Sequence, residues 1–361
     1  MKYAQFNIGS LIAGDGVLVL FQKFWIGLWN GFKTCFRVGV FVLLLITTGV
    51  ASGQTCCTGG VPVTGSLGLG AADVRSLQLQ FSLDHNFMND LLSVNQPLGE
   101  NNRQRQTHSG LLELNYGLSR QFSLAALFSY VRQDRIVITQ SGQREHEHTR
   151  GLGDMVLLMK YRLIDKRQSA DWELLLGAGP KIPLAQTNLV NAAGLLLPAD
   201  MQPGTGSWDG IFWSSFMKNH LLWNNVSLTA LSTFRWSGEN NNYLGNNSYR
   251  FGNEFQVISG IGYQFFAGTL LDVFQNLRYR YQGPDQFNGT NLPGTGGHWV
   301  YLIPGVQVNP RPDLSLRLSA EIPVYRHLKG IQLTTSYRLS FSILARLWQA
   351  EEAIIENIKT F

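Results

Sequence analysis

Gln332–Ile343 reads Q-L-T-T-S-Y-R-L-S-F-S-I. Leu333, Thr335, Tyr337, Leu339, Phe341 and Ile343 take one set of alternate positions; Gln332, Thr334, Ser336, Arg338, Ser340 and Ser342 take the other. Successive side chains of a strand leave on opposite faces, so one face is oily with two aromatics and the other carries hydroxyls and a guanidinium. A soluble sheet can look like this, with its oily face in a core. So can one stave of a membrane barrel, oil toward lipid and polar groups toward a wet lumen.

Recurrence decides between them. The same alternation returns near Val74–Asp84, Ser109–Tyr116, Phe122–Val137, Asp154–Leu163, Trp172–Ile182, Trp208–Phe216, Leu222–Trp236 and Tyr249–Phe265. It returns again at Leu271–Tyr281, Trp299–Val308 and Leu314–Ile322 before the closing stretch. Long polar connections (Asn101–Arg105, Gln140–Arg150, Pro183–Ser207, Gly238–Asn247, and a Gly/Pro/Asn run to Gly297) alternate with short turns. The short ones fall at Gly117–Gln121, after Leu163, at Lys218-Asn219-His220, at Ala267-Gly268 and at Asn309–Pro312, and a loop at Tyr325–Gly330 precedes the last strand. Short periplasmic turns and longer outer loops belong to outer-membrane barrels, and soluble sandwiches have no need of that rhythm. The pattern predicts an all-β protein: a transmembrane antiparallel up-and-down β-barrel of about twelve strands.

Composition agrees. The 361 residues are 44% hydrophobic, 12% aromatic and only 15% charged, with 38 Gly. Mean hydropathy is -0.03, too polar for a helical membrane protein, while the charge is low for a soluble enzyme. Residues 1–53 read as a signal segment: Lys33 and Arg37 precede the apolar run Val38–Leu45, and small Ala51 and Gly53 suit cleavage before Gln54. A further apolar stretch upstream, broken by Asp15 and Lys23, reads as a start codon set too early, the alternatives being an extended leader or a retained helical anchor. Without Lys2, Lys23, Lys33, Arg37 and Asp15, the net charge of +5 falls to +2, which argues for no nucleic-acid partner. Cys56 and Cys57 are adjacent in a segment bound for a compartment that permits disulfides, and Gly53-Gln54-Thr55 lacks the residues of a lipid-anchor site. The expected organisation is thus a leader (1–53), a Gly-rich lead-in (54–72), the barrel (73–343) and a periplasmic helix (344–361).

If the oily set faces lipid, the lumen carries Glu113, Lys160, Arg162, Glu173, Lys181, Glu254, Asp272, Arg278, Arg280, Arg317, Glu321 and Arg338. Their mixed signs suit ion-paired networks, and also a charged lining that screens solutes. The apolar run Leu195-Leu196-Leu197-Pro198 with Met201, in the longest outer loop, suits a lid or capture surface as well as plain loop packing. Glu145-His146-Glu147-His148 has alternate histidines, the bland reading being a solvated loop, and no metal or cofactor is assigned. A barrel hydrolase would need His and Ser on one face, but His108 and Ser109 are adjacent and point oppositely; no catalytic residue is assigned.

Two strings carry a family likeness. Gly151-Leu152-Gly153-Asp154, running into Lys160-Tyr161-Arg162-Leu163, and Gly204-Thr205-Gly206-Ser207-Trp208-Asp209 resemble the outer-membrane proteins of the MetA-pathway of phenol degradation, with Pro323-x-Tyr325 fitting the same pattern. The resemblance implies an outer-membrane location, outer-membrane lipid and barrel-assembly machinery as partners, and a transporter for a small, apolar or aromatic solute. Read physically, glycines at a rim permit tight bends, and Asp154 and Asp209 just beyond them are placed to accept from exposed backbone N–H groups. The alternatives to transport are a barrel enzyme of lipase or protease type and a structural or adhesive barrel.

Overall fold

The structure is a computed structural model and describes residues 69–98, 102–138, 141–165, 171–221, 223–265 and 271–349. The leader, the cysteine pair, the turn at Ala267-Gly268 and the tail beyond residue 349 lie outside these. Twelve antiparallel strands form the barrel: β1 Ser76–Ser93, β2 Arg103–Gly117, β3 Phe122–Ile138, β4 Met155–Ile164, β5 Trp172–Ile182 and β6 Asp209–Lys218, then β7 Val226–Trp236, β8 Glu254–Gln264, β9 Leu271–Gln282, β10 Gly297–Arg311, β11 Leu314–Leu328 and β12 Ile331–Gln349. Each pairs with its neighbours in the chain. β12 then returns to β1, from Ser76 opposite Gln349 to Leu91 opposite Leu333. Closure leaves no strand edge unpaired in hydrocarbon, where no water can satisfy it.

Alternation sorts the faces. Leu83, Phe128, Met159, Phe212, Ile261, Leu277, Leu318 and Leu339 point outward and are exposed, while Glu113, Lys160 and Lys181 point inward and are at most 2% exposed. Oil outside and charge inside inverts the soluble rule and marks the outer face as lipid-facing. Aromatic pairs ring the short-turn end, Phe122 with Tyr161, Trp172 with Phe216 and Tyr263 with Phe265. Exposed Trp208, Trp236, Phe255 and Tyr325 stand toward the other. The start of β1 and the end of β12 share one side with the short turn Leu118–Gln121, the periplasmic side.

Several boundaries differ from expectation, for one physical reason. Above the lipid belt both faces of a strand are wet, so the oily alternation that reveals a stave disappears. Arg144–Leu152, expected as loop, is a strand paired with upper β3 from Tyr130 opposite Leu152 to Ile138 opposite Arg144. β2 likewise starts at Arg103, inside the expected first loop. β11 runs on to Leu328, so the expected loop at Tyr325–Gly330 shrinks to Lys329-Gly330, with Gly330 at φ +80. β8 starts at Glu254, because Asn247–Arg250 joins a separate small sheet with Asn240–Tyr243, Gln286–Phe287 and Thr290–Asn291. β7 starts at Val226 instead of Leu222. Ala345–Gln349, expected to open a helix, is strand: Ala345 pairs with Leu79 and Arg346 with Gln78, covering the lower edge of β1.

Candidate functional site: the lumen and its two mouths

Around the inner wall the predicted lumen residues meet as ion pairs. Lys160 Nζ donates to Glu113 Oε1 at 3.0 Å and lies 4.8 Å from the Trp213 ring centroid. Arg162 Nε faces Glu173 Oε1 at 3.4 Å. Across the barrel, Glu254 receives Arg280 at 3.1 Å and Arg235 at 3.4 Å, and Glu321 receives Arg278, with Arg338 at 4.0 Å. Arg278 lies over Tyr301 at 4.5 Å and Arg280 over Trp299 at 4.9 Å, so flat guanidinium groups are held on flat rings. Burying such charges singly is costly, and pairing offsets the loss of hydration.

Arg317 and Asp272 stand lower, beside a chamber of about 420 Å³ that Asn276, Gln307, Gln264 and Thr229 also line. Arg317 lies over Phe274 at 4.3 Å, and Asp272 Oδ2 accepts from Asn309 Nδ2 at 2.8 Å. The lead-in occupies the opposite side of the periplasmic mouth. Leu69 O accepts from Lys160 at 2.8 Å, Gly70 O from Asn115 Nδ2 at 2.6 Å, and Ala71 O from Arg162 at 3.1 Å. Gly117 lets it in: a Cβ there would stand 1.9 Å from Asp73 O.

The inner wall is not charged throughout. Leu111, Ala125, Leu127, Val156, Leu158, Leu175, Ile211 and Trp213 point inward from β2 to β6 and form one cluster, each at most 3% exposed. The inner wall therefore has an oily arc facing a charge-paired arc. Its signal is present in the sequence as unbroken oil: Leu124–Phe128, Val156–Met159 and Leu174–Leu176 are apolar on both alternate sets. Such runs mark strands with neither face in water.

At the outer mouth the two Gly-rich strings converge on Lys181. Its Nζ lies 2.7 Å from Asp154 Oδ2, 3.1 Å from Asp209 Oδ2 and 3.3 Å from Ser207 O, and it also reaches Thr205 Oγ1. Asp154 accepts backbone N–H bonds from Ala185 at 3.2 Å and Thr205 at 2.9 Å, and Asp209 one from Gly238 at 3.0 Å. Glycine is required twice here. A Cβ on Gly204 would lie 2.4 Å from Asp154 Oδ1, and Gly206 sits at φ +69. Gly151 and Gly153 flank the break above β4, where a Cβ on Gly153 would meet Ser129 Oγ at 2.2 Å. Trp208 points outward, 61% exposed.

Thus anchored, the loop 183–208 folds over the mouth. Arg105 bridges Asp200 at 2.9 Å, Gln133 donates to Met201 O at 3.2 Å, and Leu197 and Met201 are buried while Leu195 stays exposed. Ala199 packs on Tyr249 and Phe251, tying this loop to the small sheet. There the Tyr249 hydroxyl donates to Asp285 Oδ2 at 2.8 Å. Burial raises the Asp285 carboxyl above its ordinary value, against the opposing N–H of Gly252. On the hairpin, His146 and His148 share the outer face with ring centroids 6.5 Å apart, whereas Glu147 is bound to Arg135 at 2.7 Å. Ser109 is buried inward and His108 exposed outward.

No curated protein matches the chain. Among solved structures, an outer membrane channel from Pseudomonas putida F1 superposes with a TM-score of 0.61 at 13% identity, covering 77% of this chain and 97% of that one. The β domain of the Bordetella autotransporter BrkA gives 0.43 at 13% identity, over 75% and 99%. A mutant of TodX, a monoaromatic hydrocarbon channel, gives 0.41 at 11% identity, over 82% and 97%. At such identities the likeness to the Pseudomonas channel is one of fold. Together with the lipid-facing belt, the closed barrel places the protein in the outer membrane. The profile described as "Putative MetA-pathway of phenol degradation" matches residues 100–339, and the chain belongs to that family.

Proposed function

We propose that the barrel carries small apolar compounds, aromatic ones among them, across the outer membrane. The observation that carries this is the oily inner arc, Leu111 to Trp213, opposite an arc whose charges are already paired. The arc's side chains pack on one another in this structure, so a ring or alkyl chain passes by parting them, and few uncommitted charges stand along the way to hold hydrophilic ions. The family's link to phenol degradation and the Pseudomonas fold relative support the same reading. A non-enzymatic role fits the side chains: Ser109 and His108 lie on opposite faces, and the inner carboxylates serve as ion-pair partners. Insertion by the barrel-assembly machinery follows from the architecture and is part of the proposal.

The test is accumulation of labelled toluene by cells with and without the gene, and with Leu158→Asp. The variant, which sets a carboxylate in the oily arc, is expected to lower accumulation several-fold while keeping heat-modifiable gel migration. Equal accumulation with and without the gene would end the proposal.

A further inference from the structure

Lys160, Arg162, Lys181, Arg235, Arg278, Arg280 and Arg338 each face a carboxylate on a nearby stave of the inner wall. Arg317 is different. Among the described residues no carboxylate lies within ion-pair distance of it, and its guanidinium is instead held flat on the Phe274 ring at 4.3 Å. The ring itself is fixed from behind, because Gly305 leaves it room: a Cβ at Gly305 would stand 2.1 Å from Phe274. The guanidinium borders the periplasm-side chamber of about 420 Å³, whose other walls mix amides and hydroxyls (Thr229, Gln264, Asn276, Gln307) with the apolar Met217 and Val226. That volume suits one small molecule. A planar guanidinium with an open fork matches a planar carboxylate bidentately; the ring beneath holds that fork in place, and Met217 and Val226 on the chamber wall offer apolar surface to the body of the ligand. Asp272, in the same row two strands away, is engaged by Asn309 at 2.8 Å and offsets part of the Arg317 charge, so the site has room for one negative group and repels a second.

We propose that this chamber is a binding site for a small aromatic monocarboxylate, with Arg317 gripping the carboxylate and Phe274 stacking under the grip. The site goes beyond the transport reading, which concerns uncharged apolar compounds, and it is tested apart from transport.

Calorimetric titration of the purified full-length barrel with benzoate and with benzyl alcohol, its uncharged analogue of similar size, reads the site directly. Wild type is expected to bind benzoate saturably, at least ten-fold tighter than benzyl alcohol. Arg317→Gln is expected to lose at least ten-fold in benzoate affinity and leave benzyl alcohol unchanged, with Arg317→Lys between the two. Phe274→Leu, which keeps the charge and removes the platform, is expected to weaken benzoate too, and serves if Arg317→Gln fails to give heat-modifiable migration. No saturable benzoate binding by wild type, equal affinity for the two ligands, unchanged affinity in the variants, or displacement of benzoate by equimolar chloride would each overturn the assignment. Benzoate binding by a barrel that fails to accumulate toluene would uphold the site and sink the transport reading.

Discussion

At the scale of single residues, Lys181 shows what the rim glycines are for. One ammonium is shared by Asp154, from the break above β4, and Asp209, at the start of β6, with Thr205 of the lid between them. Removing a partner from a buried pair leaves charge without compensation, at about 3–5 kcal/mol. Lys181→Met, which strands two carboxylates at once, is expected to cost that much in urea unfolding from lipid vesicles. Lys181→Met with Asp154→Asn and Asp209→Asn should recover part of it. The sequence made some of this legible. Asp154 and Asp209 stand directly after Gly-rich bends and do accept backbone N–H groups there. That Lys181 joins them was not legible, because the three are separated by 27 and 28 positions and alternation speaks only of neighbours.

At the scale of elements, the lead-in and the outer cap are the parts with least local signal. Leu69–Asp73 has no periodic pattern, and its place is set by carbonyls that Lys160, Asn115 and Arg162 happen to reach. Gly117→Ala would push a methyl against the backbone at Asp73, so the segment is expected to leave the mouth. Single-channel conductance should rise in Gly117→Ala, and an unchanged trace would show that the segment does not limit flow. The cap is expected to respond to pH through Asp285. Its folded carboxyl titrates above the ordinary value, so the folded cap holds the proton more tightly than the opened one. That contribution is complete below the ordinary carboxylate range and is lost as pH rises through the raised value. Hydrogen-exchange protection of residues 240–251 should therefore fall as pH rises through that window, and Asp285→Asn should remove the dependence. Strand ends above the belt carry no oily alternation to mark them: both faces of Arg144–Leu152 are wet.

At the scale of the whole molecule, the barrel was legible because lipid imposes one rule on every stave. A charge on the outer face at mid-height costs about 2–4 kcal/mol. Leu277→Arg, on the exposed side of β9, is expected to destabilise the barrel by that amount in vesicles and by much less in detergent with high water access. The oily inner arc falls outside that rule, which concerns the lipid side only; what lines the inside is left to function.

That arc has a consequence for how the staves find their alignment. Elsewhere a slip of one residue turns an arginine toward hydrocarbon and is forbidden. From β2 to β6 a slip exchanges one leucine for another, so mid-height side chains there hardly tell right from wrong. Alignment in this quadrant rests on its charged extremities, Glu113 with Lys160 below and Lys181 with its two aspartates above. Loosening both ends together would leave these five staves free to settle out of step, although no residue changed would touch the oil between them.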